Sequence, residues 1–311
     1  MCVTGSSIRN LLAAGLVAGS MAVVRAQEKP STAAPQQITR DKKPKQYLAW
    51  SPDGKRLACS YYPVAGRIAV AVMDADGGNL QVLSTDPAEF APSWAPDGKR
   101  LVFVHVTQSG TDGELDIHAM NADGKDRKVL VDGKSFEGFP SWSPDGRKLL
   151  FTSTRDKTQE IYVADADGKN LKRITSNPSL KQYPRWSPNG KRIAYNCDVD
   201  GNFEIYVMRA DGSNPRRLTN NPAMDIAPAW SPDGKRIAFV SLRDDNYEVY
   251  VMNADGSDPQ NVSRYGGYDH FPAWKPDGTL TWISDRSIQL EVFALAREGF
   301  VNRPGAGDAR K

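Results

Sequence analysis

Apolar and polar residues alternate in short runs along most of the chain, and the runs repeat. In residues 225–263, DIAPAW is a short apolar segment and SPDG a turn. KRIAFVS then alternates, rich in β-branched and aromatic residues. LRDDN is a polar loop, YEVYVMN alternates again, ADG is a second tight turn and QNVS a last short run. Alternation with period two, bounded by turn residues, predicts strands. Pro presets φ in the first turn, and Gly in the second is free to take positive φ. The unit therefore predicts four strands, and no 3.6-residue helical period runs through it.

The Pro-Asp-Gly (or Pro-Asn-Gly) turn begins at Pro52, Pro96, Pro144, Pro188, Pro232 and Pro276, at intervals of 44, 48, 44, 44 and 44 residues. A Trp stands two residues before each: Trp50, Trp94, Trp142, Trp186, Trp230 and Trp274. Self-similarity at about 40–50 residues marks a solenoid, a propeller or an array, and four-stranded units of this period are propeller blades. The expected fold is an all-β, six-bladed β-propeller over residues 36–299. The four extra residues of the second unit fall in its middle loop, VTQSGTDGE, where an insertion spares the strands.

The sixth unit runs out early. After AREG at Ala296 comes FVNRPGAGDARK, with no fourth strand. The missing strand is expected at the other end of the chain. QQIT at Gln36–Thr39 matches KRIT at Lys172–Thr175 and RRLT at Arg216–Thr219. Thr39 precedes Trp50 by eleven residues, as Thr175 precedes Trp186 and Thr219 precedes Trp230. An N-terminal strand completing the last blade would also hide the two edges that an open ring leaves as templates for aggregation.

These motifs resemble a known repeat. Trp-Ser-Pro-Asp-Gly-Lys-Arg, then Ser-x-Arg-Asp, then Glu-[Ile/Val]-Tyr-Val, is similar to the bacterial WD-like repeat of TolB-type propellers. The match is strong at Ser153, Arg155 and Asp156 with Glu160 and Tyr162, and at Ser241, Arg243 and Asp244 with Glu248 and Tyr250. Unit four keeps Glu204 and Tyr206 after CDVDGN, and units one, two and six fit more loosely. The resemblance implies a propeller that contacts a protein partner, in TolB the lipoprotein Pal. It covers the propeller only: the α/β domain that precedes it in TolB has no counterpart in the short stretch before Gln36.

Composition adds a leader and removes a partner class. One cation, Arg9, precedes LLAAGLVAGSMAVV, and the small residue Ala26 follows, the layout of a signal peptide over residues 1–26. The apolar run is shorter than the roughly 20 residues that span a bilayer. Residues 27–35 read as a linker and 300–311 as a C-terminal tail. Without Arg9 and Arg25 the net charge falls from +3 to +1, so nothing electrostatic argues for nucleic acid. The expected location is the periplasm or the exterior, without a transmembrane segment in the mature chain, and as a monomer. Cys59 and Cys197 lie three repeats apart and are not expected to pair.

The candidate chemistry is sparse. The six repeated Trp residues are expected to pack between blades. The Asp-Ala-Asp-Gly turns lack the distal Glu of a calcium loop. His105 and His118 replace blade residues of unit two. With His270, the histidines make no metal cluster of the kind held by related oligogalacturonate lyases. No G-x-S-x-G elbow is present, and six units of 44 residues leave no room for an appended catalytic domain. One position varies where the rest repeats. Five residues before each Trp stand Lys45, Glu89, Glu137, Lys181, Asp225 and Asp269. They are expected in the connections entering the innermost strands, ringing one channel mouth with His270 beside them. The expected function is a non-enzymatic exported propeller that binds a protein or peptide, such as a Pal-like envelope lipoprotein, at that mouth. No cofactor or metal is expected. The alternative is a metal-assisted lyase or glycan-processing enzyme using His270 with Glu137 and Asp225.

Overall fold

The computed structural model describes residues 34–84, 88–107, 114–133, 135–287 and 289–296. The leader at 1–26, nearly all of the linker and the tail at 300–311 lie outside the described residues. The described residues form six four-stranded antiparallel sheets, each a meander from the inner strand outwards. In blade one the strands are Lys45–Trp50, Arg56–Val64, Arg67–Asp74 and Gln81–Val82. The other inner strands are Glu89–Trp94, Glu137–Trp142, Lys181–Trp186, Asp225–Trp230 and Asp269–Trp274. The meander puts both tight turns of blades one to five, and the first turn of blade six, on one face of the ring. The loops between second and third strands, and the connections between blades, lie on the other.

The N-terminal strand closes the ring. Gln36 and Gln37 pair with Ala294 and Phe293 of the sixth blade's third strand. The Ile38 N–H donates to the Val292 carbonyl at 2.7 Å, as Leu218 donates to Ile205 in blade four at 2.7 Å. The Thr39 hydroxyl donates to Glu291 and accepts from the Val292 N–H at 2.9 Å. Thr175 makes the same two bonds to Glu160 and Ile161, and Thr219 to Glu204 and Ile205. Even the neighbouring turn fits: a Cβ on Gly77 would stand 2.7 Å from the Ile38 carbonyl oxygen, as one on Gly256 would from Leu218.

The repeated Trp joins blades. Trp50 Nε1 donates to Thr281 Oγ1 at 2.9 Å, Trp94 to the Ala49 carbonyl at 3.0 Å and Trp274 to the Ala229 carbonyl at 3.1 Å, each in the preceding blade. The motif's cations lie over these rings from that same preceding blade: Arg56 over Trp94, Arg100 over Trp142 and Arg192 over Trp230. Burying roughly 150–250 Å² of aromatic surface is worth up to about 4–6 kcal/mol per ring. Cys59 and Cys197 are buried free thiols.

Candidate functional site

Each inner strand carries one bulge, where pairing with the second strand skips a residue. At every bulge the residue three before the Trp takes positive φ: Tyr47 52°, Ala91 51°, Phe139 54°, Tyr183 52°, Ala227 53° and Phe271 53°. A left-handed non-glycine residue costs about 1–2 kcal/mol, and the fold accepts that six times around the axis. The bulges bring these six side chains together in one buried cluster. Tyr47 of blade one lies 6.3 Å from Tyr183 of the opposite blade, 6.4 Å from Phe139 and 4.5 Å from Phe271 between ring centroids. Phe139 and Tyr183 are 4.2 Å apart. Rings from blades one, three, four and six thus meet on the axis and plug the channel.

The six variable charges have a different setting from the expected one. They are the first residues of the inner strands, not part of the connections, and each is at most 1% exposed. The reason is pairing: the second strand extends far enough to lie opposite each one, as Cys197 opposite Lys181 and Ser241 opposite Asp225. Every one has an ionic partner. Glu89 pairs with Arg127, Glu137 with Arg155 at 2.9 Å, Asp225 with Arg243 at 2.8 Å and Asp269 with Arg286 at 2.7 Å. The lysines reach the preceding blade instead: Lys45 to Glu291 and Lys181 to Glu160, both at 3.0 Å. Burial raises the pKa of Glu137, Asp225 and Asp269 against the pull of their arginines. These groups form the footing beneath the mouth.

The open face of the site is aromatic. Tyr62 stands near the end of blade one's second strand, Tyr247 in blade five's second-to-third-strand loop, and Phe136 and Tyr268 in connections between blades, all half-buried. Tyr268, Tyr247 and His270 form a triangle with centroids 5.2–5.4 Å apart. Tyr62 donates to Gln46 at 3.0 Å. Burial, then the Tyr183, Tyr247 and Tyr62 hydroxyls, hold the Tyr268 phenol protonated well above its ordinary range. Val64, Leu180 and Val199, exposed by 59%, 44% and 47%, stand on the same face. His270 is 5% exposed, its Nδ1 accepts from the Phe271 N–H at 2.8 Å, and burial pushes its pKa down to about 3. It is neutral at physiological pH and belongs to the funnel wall. Glu137 and Asp225 each face an arginine of their own blade. Among the described residues no group of three or more His, Cys, Asp or Glu is placed to hold a metal ion.

The plug had a readable signal: an aromatic stands three before the Trp in four of the six copies. The left-handed backbone that turns it inward has none in the local alternation. Of the wall residues, Phe136 and Tyr268 share the position six before the Trp, where the other copies have Pro44, Ala88, Leu180 and Met224; Tyr62 and Tyr247 stand at two other positions.

A family model described as the TolB beta propeller domain matches residues 31–182 and 175–301. Among solved structures, one of a TolB from Agrobacterium tumefaciens superposes with a TM-score of 0.65 at 22% identity, covering 82% of this chain and 91% of that one. TolB from Acinetobacter baumannii gives 0.63 at 23% identity, over 81% of this chain but only 63% of that one. An oligogalacturonate lyase in complex with manganese gives 0.60 at 14% identity, over 88% of this chain and 96% of that one. These likenesses show the six-bladed fold. No curated protein sequence matches the chain.

Proposed function

The chain belongs to the TolB beta-propeller family, and from that premise we propose that it is an exported, non-enzymatic binding module. It holds a protein or peptide partner in the aromatic funnel at the mouth where the inner strands begin. One observation carries the reading: the channel is blind. Its mouth is walled by Tyr62, Phe136, Tyr247 and Tyr268 and floored by the plug, so a ligand enters from this face and stops there. Half-buried tyrosines give large contact area with a polar tip at low entropic cost, the composition of protein-binding surfaces. The exposed Val64, Leu180 and Val199 extend that surface beyond the funnel. The ion pairs beneath fix the wall and leave the contact itself mostly apolar. The family points to an envelope lipoprotein as the partner.

Photo-crosslinking tests this. A benzophenone amino acid replaces Tyr62 or Tyr268 in cells, and, as a control on the outer rim, Val129, which is 54% exposed. The expected result is one discrete adduct from both funnel positions, absent from Val129 and lost when Tyr247 is changed to Ser. No adduct from the funnel, or the same adduct from Val129, would refute the reading.

A further inference from the structure

A second feature of the channel is independent of the mouth. Arg185 stands in the inner strand of blade four, two residues beyond Tyr183. Its Nη1 donates to the Pro184 carbonyl at 3.1 Å and, more weakly, to the Phe139 carbonyl of blade three at 3.5 Å. The hydroxyls of Tyr183 and of Tyr47, on the opposite blade, are close enough to act on its charge. A group that reaches the Phe139 carbonyl of blade three and feels the Tyr47 hydroxyl of the opposite blade lies beside the axis, because blades one and four converge nowhere else. Its side chain is half-buried, so solvent reaches it.

No carboxylate forms an ion pair with Arg185 among the described residues, whereas all six charges at the strand starts have ionic partners. The equivalent positions in the other blades are Ala49, Ser93, Ser141, Ala229 and Ala273. Packing at this level therefore needs only a small side chain. A confined cation without a counter-charge is unfavourable, and desolvation accordingly lowers its pKa to about 10. A bound anion would reverse that penalty, and a planar guanidinium matches a two-oxygen acceptor.

We propose that Arg185, beside the aromatic plug, is the receptor for a small oxyanion, a carboxylate or phosphate group, bound on the channel axis. The measurement is NMR of the arginine side-chain Nε–H resonances in the intact mature protein. Sodium acetate, sodium phosphate and sodium chloride are titrated separately at matched ionic strength. The expected result is one resonance, absent from Arg185→Met, that shifts saturably with acetate, phosphate or both and not with chloride. The better-binding salt identifies the preferred oxyanion. Shifts that are linear, equal for chloride, or confined to other arginines overturn the proposal. Should Arg185→Met fail to fold, Arg185→Lys supplies the same assignment.

Discussion

Replacing Thr39 by Val tests ring closure at one atom. Val fills the same volume and removes only the hydroxyl. The Val292 N–H then loses its acceptor, and Glu291 loses one donor while keeping Lys45 Nζ at 3.0 Å and the Lys42 N–H at 2.6 Å. An orphaned buried N–H costs about 1–3 kcal/mol, and a lost bond to a charged group about 1.5–3. The two losses share one oxygen and are not additive, so the expected cost is about 2–4 kcal/mol. Thr175→Val and Thr219→Val remove the same bonds from blades whose outer strand cannot leave the sheet. They set the full local cost. At Thr39 the strand can detach and let water satisfy Val292, so the cost there is capped by what the latch contributes. Urea unfolding followed by Trp fluorescence reads all three. A loss below about 0.5 kcal/mol at Thr39, beside about 2 or more at Thr175 and Thr219, would show that the N-terminal strand contributes no closure energy.

Three further outcomes follow from buried groups. Burial, partly relieved by Ser263 and Asn246, raises the Glu248 pKa to about 7 from 4.5. The folded state then binds more protons than the unfolded chain between those values, so stability falls as pH rises through that window, by at most about 3 kcal/mol. Glu248→Gln should flatten the dependence of the urea midpoint between pH 5 and 7.5, and an unchanged slope would contradict the assignment. Gly168 and Gly66 both have positive φ, 83° and 77°, but a Cβ on Gly168 meets the Leu130 carbonyl while one on Gly66 meets nothing within 4 Å. Gly66→Ala should cost about 1 kcal/mol and Gly168→Ala clearly more; equal costs would deny the turn's close packing on the preceding blade. Tyr47→Ala should cost about 3–5 kcal/mol in thermal or urea unfolding, because its ring meets four aromatic rings of other blades; a near-neutral result would mean that the plug is not packed.

Most of the fold was legible because a blade is local in sequence. Strand alternation, turn residues and the 44-residue interval each follow from neighbours within one unit. The latch was legible too, through the spacing of Thr39 from Trp50, although it joins residues more than 250 positions apart. Burial of the charged ring was not. Lys45 reads as a solvated loop charge until Glu291, 246 residues away, is folded against it. The funnel wall was invisible for a related reason. Phe136 and Tyr268 share the position six before the Trp, but Tyr62 and Tyr247 stand at two others, and the four converge only when the ring closes.

The charged ring explains a departure that the repeat alone left unexplained. Where the inner strand starts with an acid in blades three, five and six, the second strand is followed by Arg155, Arg243 or Arg286, which neutralises it. Blades one and four lack that arginine, having Pro63 and Val199 in its place. They start with Lys45 and Lys181, and their counter-charge comes from Glu291 or Glu160 of the blade before. The CDVDGN segment of unit four is thus half of a paired exchange: losing the arginine and replacing the acid by lysine leave the buried charge balanced. Variation compensated inside the molecule needs no ligand to account for it. The funnel tyrosines and Arg185 are the departures without such compensation, and they flank the aromatic plug on its two sides.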